Sequence, residues 1–204
     1  MPGVGERLYL ITDGSAKRDL SGFLEKIDAS LAGGARLIQL REKDLSAKDL
    51  LVLAKIIKAK AETYGARLLI NERADIALVA GADGVHITST GYASFEARKI
   101  LGPKAVISVS THSVDEARRA EEEGADFVTF GPVYFTESKA AYGEPLGMEK
   151  LREATTLVKI PVFALGGVTT ERVAEALSNG ASGVAVISAG FGSGDIKKIV
   201  EGFL

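Results

Sequence analysis

Short apolar runs recur along the chain at Leu8–Thr12, Leu37–Leu40, Leu68–Ile70, Gly84–Ile87, Ala105–Val109, Phe127–Phe130, Val162–Leu165 and Gly183–Ile187, and each reads as a strand. Between them lie stretches with apolar residues every three or four positions and charges opposite, as in Leu20–Leu31, Ala47–Thr63, Val114–Glu123 and Thr170–Leu177, which predicts helices. Runs such as VFAL and VAVI are apolar at consecutive positions, the pattern of strands buried on both faces in a parallel sheet. The pairs Gly34-Ala35, Gly81-Ala82, Gly124-Ala125 and Gly180-Ala181 each close a helical stretch and lead into a strand, which suits a glycine at a helix C-terminus. They fall before the second, fourth, sixth and eighth strands, so the chain carries eight βα units. The predicted fold is therefore α/β, a single (β/α)8 TIM-type barrel with a closed parallel sheet and outer helices, spanning residues 1–204 as one domain. An open doubly wound sheet would place a glycine-rich phosphate fingerprint after its first strand, where this chain has ITDGSAKRD.

Composition narrows the chemistry. With 25 Lys and Arg against 27 Asp and Glu the net charge is −2, which argues against a strongly basic nucleic-acid binder. There is no cysteine and only two histidines, His86 and His112, so thiolate catalysis and cysteine or multi-histidine metal sites are excluded, and a metal would be a hard oxygen-bound ion. No window is long and apolar enough for a signal peptide or membrane span, and a cytoplasmic protein with small-molecule partners is the expectation.

In such barrels the active site lies at the C-terminal ends of the strands. After the second strand, alternation sets Gln39, Arg41 and Lys43 on one side and Leu40 and Glu42 on the other, so an amide and two cations converge on an anion such as diphosphate; a solvated charge run is the plainer alternative. After the third strand come Asn71, Glu72 and Asp75, which could serve magnesium, although Asp75 also suits the first turn of a helix. His86 lies at the end of the fourth strand and His112 follows the fifth, where a packed, hydrogen-bonded histidine is the commoner outcome. The segment after the sixth strand is long and carries Thr136, Ser138 and Lys139, which could wrap an anion. Gly166-Gly167 and Ile187-Ser188-Ala189 end the seventh and eighth strands just before helices, the usual phosphate position of this barrel class; a tight turn without ligand is the alternative for the glycines.

QLREK after strand two, Asn71 after strand three, VSTH around Ser110, GPVYFTESK after strand six, GGV after strand seven and VISA after strand eight together resemble the thiamine phosphate synthase and thiazole tautomerase superfamily over nearly the whole chain. The resemblance implies a transferase that joins 4-amino-2-methyl-5-hydroxymethylpyrimidine diphosphate to 4-methyl-5-(2-hydroxyethyl)thiazole phosphate, releasing diphosphate with magnesium, in a homodimeric enzyme. It implies pyrimidine and diphosphate contacts at Gln39, Arg41, Lys43, Asn71, Ser110 and Lys139, with Arg41, Lys43, Lys139 and Ser110 catalytic. Thiazole phosphate contacts are implied at Thr136, Ser138, Gly167, Ile187 and Ser188. Two positions depart from the family's magnesium aspartates: Glu72 stands at the first and Gly91 at the second. Two alternatives stay open. One is a thiazole tautomerase, whose proton-transfer histidine would correspond to Pro132 here; the other is a non-catalytic barrel that binds thiazole phosphate or thiamine phosphate.

Overall fold

The computed structural model describes residues 4–136, 144–192 and 194–204. Eight parallel strands close in sequence order into a barrel: β1 (Leu8–Ile11), β2 (Leu37–Leu40), β3 (Arg67–Asn71), β4 (Gly84–Ile87), β5 (Val106–Thr111), β6 (Phe127–Phe130), β7 (Val162–Leu165) and β8 (Gly183–Val186). Around them run α1 (Leu20–Ala32), α2 (Ala47–Thr63), α3 (Ala74–Ala80), α4 (Ser94–Leu101), α5 (Val114–Glu122), α6 (Gly147–Leu157), α7 (Val173–Ser178), α8 (Ser188–Phe191) and α9 (Ile196–Gly202), with a 3-10 turn at Thr170–Arg172 leading into α7. Among the described residues no helix is long and apolar enough to cross a membrane.

The strand boundaries follow from burial on both faces. Outward residues such as Leu10, Ile38, Leu68, Val128 and Val184 pack under the helices, whereas Tyr9, Leu37, Leu69, Val106, Phe127, Phe163 and Ala185 fill the lumen. The Tyr9 and Phe127 rings meet edge to face at 5.2 Å and Phe127 meets Phe163 at 5.1 Å, so the lower barrel is a packed core and not a channel. Helices start where a side chain satisfies the first free amides: Asp19, Ser46, Ser113 and Asp195 accept from Gly22, Asp49, Glu116 and Lys198 respectively.

The Gly-Ala repeat marks the base of the barrel. Gly34, Gly81, Gly124 and Gly180 all adopt left-handed φ, between 67° and 102°, as the turn from helix to strand demands. In two repeats an aspartate follows and ties down the neighbouring strand: Asp83 accepts from the Leu68 amide at 2.8 Å and Asp126 from the Ile107 amide at 2.7 Å. With the base fixed in this way, the loops carrying the polar residues gather at the opposite end.

Candidate active site

Above the aromatic core the lumen becomes polar. Gln39 Nε2 donates to the Tyr9 hydroxyl at 2.9 Å, the Tyr9 and His86 rings lie 5.7 Å apart, and His86 holds Ser108 with Nδ1 and Ser110 with Nε2, the latter at 2.8 Å. All lie near one level because Asn71, His86 and Ser108 are direct neighbours across β3, β4 and β5. Complete burial, assisted by the nearby Arg41 charge, pushes the His86 pKa from 6.5 down to about 3. The ring is therefore neutral, and it donates to one serine and accepts from the other. Burial likewise raises the Tyr9 phenol, which stays protonated. The His86 bonds end at Ser110, half-buried at the mouth.

β5 runs to Thr111, two residues beyond the predicted end, so Ser110 belongs to the strand and not to the loop after it. Its polar residues are retained in the ladder because Thr111 Oγ1 donates to the Thr129 carbonyl at 2.9 Å and Ser110 meets His86.

β2 ends at Leu40, and strand alternation stops there. Arg41 and Lys43 nevertheless line one cavity of about 380 Å³, together with Asp13, Gly14, Lys17, Arg18 and Asp44. Glu42 between them turns inward, 5 % exposed, and accepts from Thr12 Oγ1 at 2.8 Å and from the Gly14 and Ala16 amides at 3.0 and 2.9 Å. Thr12 Oγ1 in turn accepts from the Arg41 amide at 2.8 Å. The sequence reading passed over Glu42, Lys17 and Arg18; an acid inside a run of cations was the signal for the first.

At the end of β3, Glu72 takes a left-handed φ of 59°, costly for a residue with a side chain and common at functional turns. Its carboxylate accepts from Thr88 Oγ1 at 2.8 Å and from Asn71 Nδ2 at 3.1 Å, and its carbonyl accepts from the Tyr92 hydroxyl. Asp75 pairs with Arg73 in the first turn of α3 and is held below the usual carboxylate range by that hydrogen bond, which is the helix-turn role. Gly91 lines a second cavity of about 350 Å³ with Thr88, Tyr92, Ser110 and Arg119; a Cβ there would lie 2.6 Å from Ile87 Cγ2. Among the described residues no three His, Asp or Glu side chains are grouped so as to hold a metal ion. Glu72 is the one carboxylate at the implied position, and both its oxygens already accept hydrogen bonds. The donor set does not fit a magnesium ion gripped by two protein carboxylates.

The thiazole phosphate candidates sit across the mouth. Gly167 follows β7 with φ 66°, and a Cβ on it would lie 2.6 Å from the Phe135 carbonyl and 2.8 Å from Tyr134 Cβ. Its own carbonyl accepts from Arg172 Nη1 at 2.7 Å, the Arg172 guanidinium covers the Tyr134 ring at 4.4 Å, and the Tyr134 hydroxyl donates to Glu175 at 2.6 Å. Burial, with the Glu175 bond next, pushes Tyr134 up to about 12. The glycine is thus required for the loops after β6 and β7 to touch, whatever it binds. Gly167→Ala should lower stability by about 1–3 kcal/mol, read as a drop in thermal midpoint, and weaken phosphate binding at the same loop. An unchanged midpoint would show that the two loops are not packed this tightly. β8 ends at Val186, one residue before the predicted end, so Ile187 is the N-cap residue of α8 and Ser188 opens that four-residue helix; Thr136 closes the described part of the β6 loop. Ser138 and Lys139 lie outside the described residues.

The family model described as thiamine monophosphate synthase matches residues 8–189. A Geobacter sulfurreducens protein provisionally named thiamine-phosphate synthase is 52 % identical over 93 % of this chain and 88 % of its own length. The thiamine-phosphate synthase of Moorella thermoacetica is 43 % identical over 85 % of this chain and 82 % of its own. Among solved structures, a thiamine phosphate pyrophosphorylase from Pyrococcus furiosus superposes with a TM-score of 0.86 at 34 % identity, covering 97 % of this chain and 93 % of that one.

Proposed function

The chain belongs to the thiamine monophosphate synthase family, and from that membership we propose that it condenses the pyrimidinylmethyl diphosphate with the thiazole phosphate to give thiamine phosphate and diphosphate. The observation that carries the proposal is the cavity that Arg41 and Lys43 line after β2, with the Arg41 charge felt at His86, the ring that holds Ser110. Breaking the C–O bond to diphosphate moves negative charge onto the leaving group and leaves an electron-rich pyrimidinylmethyl cation. Arg41 binds the departing anion through its planar fork and Lys43 as a point charge, where fixed cations lower the barrier most. Lys139 serves the same anion by the family motif. Ser110, held by the neutral His86, and Asn71, held by Glu72, are polar groups set to orient the pyrimidine. Thr136, Ser138, Gly167, Ile187 and Ser188 hold the thiazole phosphate so that its ring nitrogen captures the cation, a gain from positioning and not from a side-chain nucleophile. We propose that magnesium, where present, arrives as the counter-ion of the diphosphate, since of the two implied carboxylate positions only Glu72 carries one and Gly91 does not. The tautomerase reading would need a proton carrier at Pro132, which has none.

The test is an assay with both substrates, following thiamine phosphate and diphosphate, once with magnesium and once with the metal chelated. Product is expected in both arms. No product in either, with the thiazole phosphate still bound, would sink the synthase reading and make the carboxylated thiazole tautomer the next substrate to try.

A further inference from the structure

Four cations surround the 380 Å³ cavity: Arg41 and Lys43 from the loop after β2, and Lys17 and Arg18 from the loop after β1. Among the described residues none of the four is ion-paired, although the chain elsewhere pairs its surface charges freely, as in Lys58–Asp83 and Lys60–Asp28. Of the two aspartates on the same wall, Asp13 faces Lys26 at 3.8 Å and accepts from the Ser15 amide. With four cations against two aspartates, Asp13 and Asp44, the wall is net positive, and the arrangement is favourable once a multivalent anion enters.

The two loops are locked together from beneath. The buried Glu42 carboxylate, whose pKa burial raises, accepts from Thr12, Gly14 and Ala16 of the first loop while belonging to the second, and Thr12 Oγ1 returns a bond to the Arg41 amide. Three donors on one carboxylate fix the path of residues 12–16, and Lys17 and Arg18 follow immediately.

We propose that Lys17 and Arg18 form the second half of the diphosphate subsite and that Glu42 is the positioning residue that latches the two halves together. The inference rests on the synthase reading for the identity of the anion. It also supplies the countercharge that the missing carboxylate at Gly91 leaves unprovided by metal.

The experiment titrates inorganic diphosphate and, separately, the thiazole phosphate into the full chain by calorimetry. The double substitution Lys17→Ala with Arg18→Ala should weaken diphosphate by about ten-fold or more and leave the thiazole phosphate within about two-fold. Both side chains are exposed, so folding is not at stake. Equal weakening of both ligands, no weakening, or no diphosphate binding by the unaltered chain would overturn the proposal. Glu42→Gln separates latch from charge by sign: deleting a negative charge beneath the two cation-bearing loops raises anion affinity, whereas releasing the latch lowers it. A rise overturns the latch. If Glu42→Gln does not fold, Thr12→Val, which removes the hydroxyl between Glu42 and the Arg41 amide, reads the same coupling, with loss of diphosphate affinity expected and no loss overturning it. Selective loss of diphosphate binding in a protein that makes no thiamine phosphate would sink the synthase reading and leave the subsite standing.

Discussion

Arg41→Ala is expected to lower the rate of thiamine phosphate formation by about 10²–10³-fold, the usual loss when one prepositioned group facing developing charge is removed. The argument starts from the leaving group. In the ground state the diphosphate already carries negative charge and is neutralised partly by solvent; as the C–O bond breaks, further charge appears on the bridging oxygen. A guanidinium fixed at the cavity wall meets that increment without reorganising. Its backbone amide is bonded to Thr12 Oγ1, and its charge is felt by the neutral ring of His86, which holds Ser110, so Arg41 links the cavity after β2 to the polar lumen. Loss should therefore fall on kcat more than on the KM of the thiazole phosphate. Arg41→Lys should recover part of the rate, since the charge is retained and the bidentate fork is not. A single-turnover experiment decides it: a chemical step as fast in Arg41→Ala as in the unaltered enzyme would show that the diphosphate leaves elsewhere.

The architecture was legible because a barrel strand buried on both faces writes itself as an apolar run, and because each second βα unit repeats Gly-Ala at a left-handed turn. The widest drift of a strand end falls where polar residues sit inside the ladder, at Ser110 and Thr111, which period and hydropathy read as loop; β1 and β8 each stop one residue short of the predicted Thr12 and Ile187. The candidate site was half legible. Arg41 and Lys43 stood out as cations after a strand and Gln39 as an amide, which lies within β2 against Tyr9, but alternation could not say that Glu42 turns back under the first loop, since the strand has ended by then. Lys17 and Arg18 are ordinary surface residues in sequence; their meaning comes only from the cavity they share with a loop some 25 positions away. Gly167 read as a backbone approach to a ligand, and the structure gives it a prior reason, contact with Tyr134 and Phe135. His86 read as a packed, hydrogen-bonded histidine, and it is one, yet its second partner is the serine at the mouth.

That histidine carries the largest expected effect on stability. In the unfolded chain it takes up a proton near pH 6.5, whereas in the folded protein burial, then the Arg41 charge, holds protonation off until about pH 3. The unfolded state thus binds more protons between these values. The stability His86 contributes is complete above pH 6.5 and is lost progressively as pH falls toward 3, at about 1.4 kcal/mol per pH unit, or about 2 kcal/mol between pH 6.5 and 5. Glu42 works in the opposite direction, because its raised pKa makes the folded state the better proton binder. The measurement is accordingly a difference: denaturant unfolding of the unaltered chain and of His86→Asn at pH 5, 6 and 7.5, in which Glu42 and the exposed His112 are common to both and cancel. The unaltered chain should lose its advantage over His86→Asn as pH drops, while the variant, lacking Ser110's partner, should be slower in turnover at every pH. Equal pH slopes in the two proteins would mean that His86 is hydrated or already charged in the folded state. In that event the bond that orients Ser110 would come from an imidazolium, which can only donate, and the serine would have to turn its proton toward the substrate.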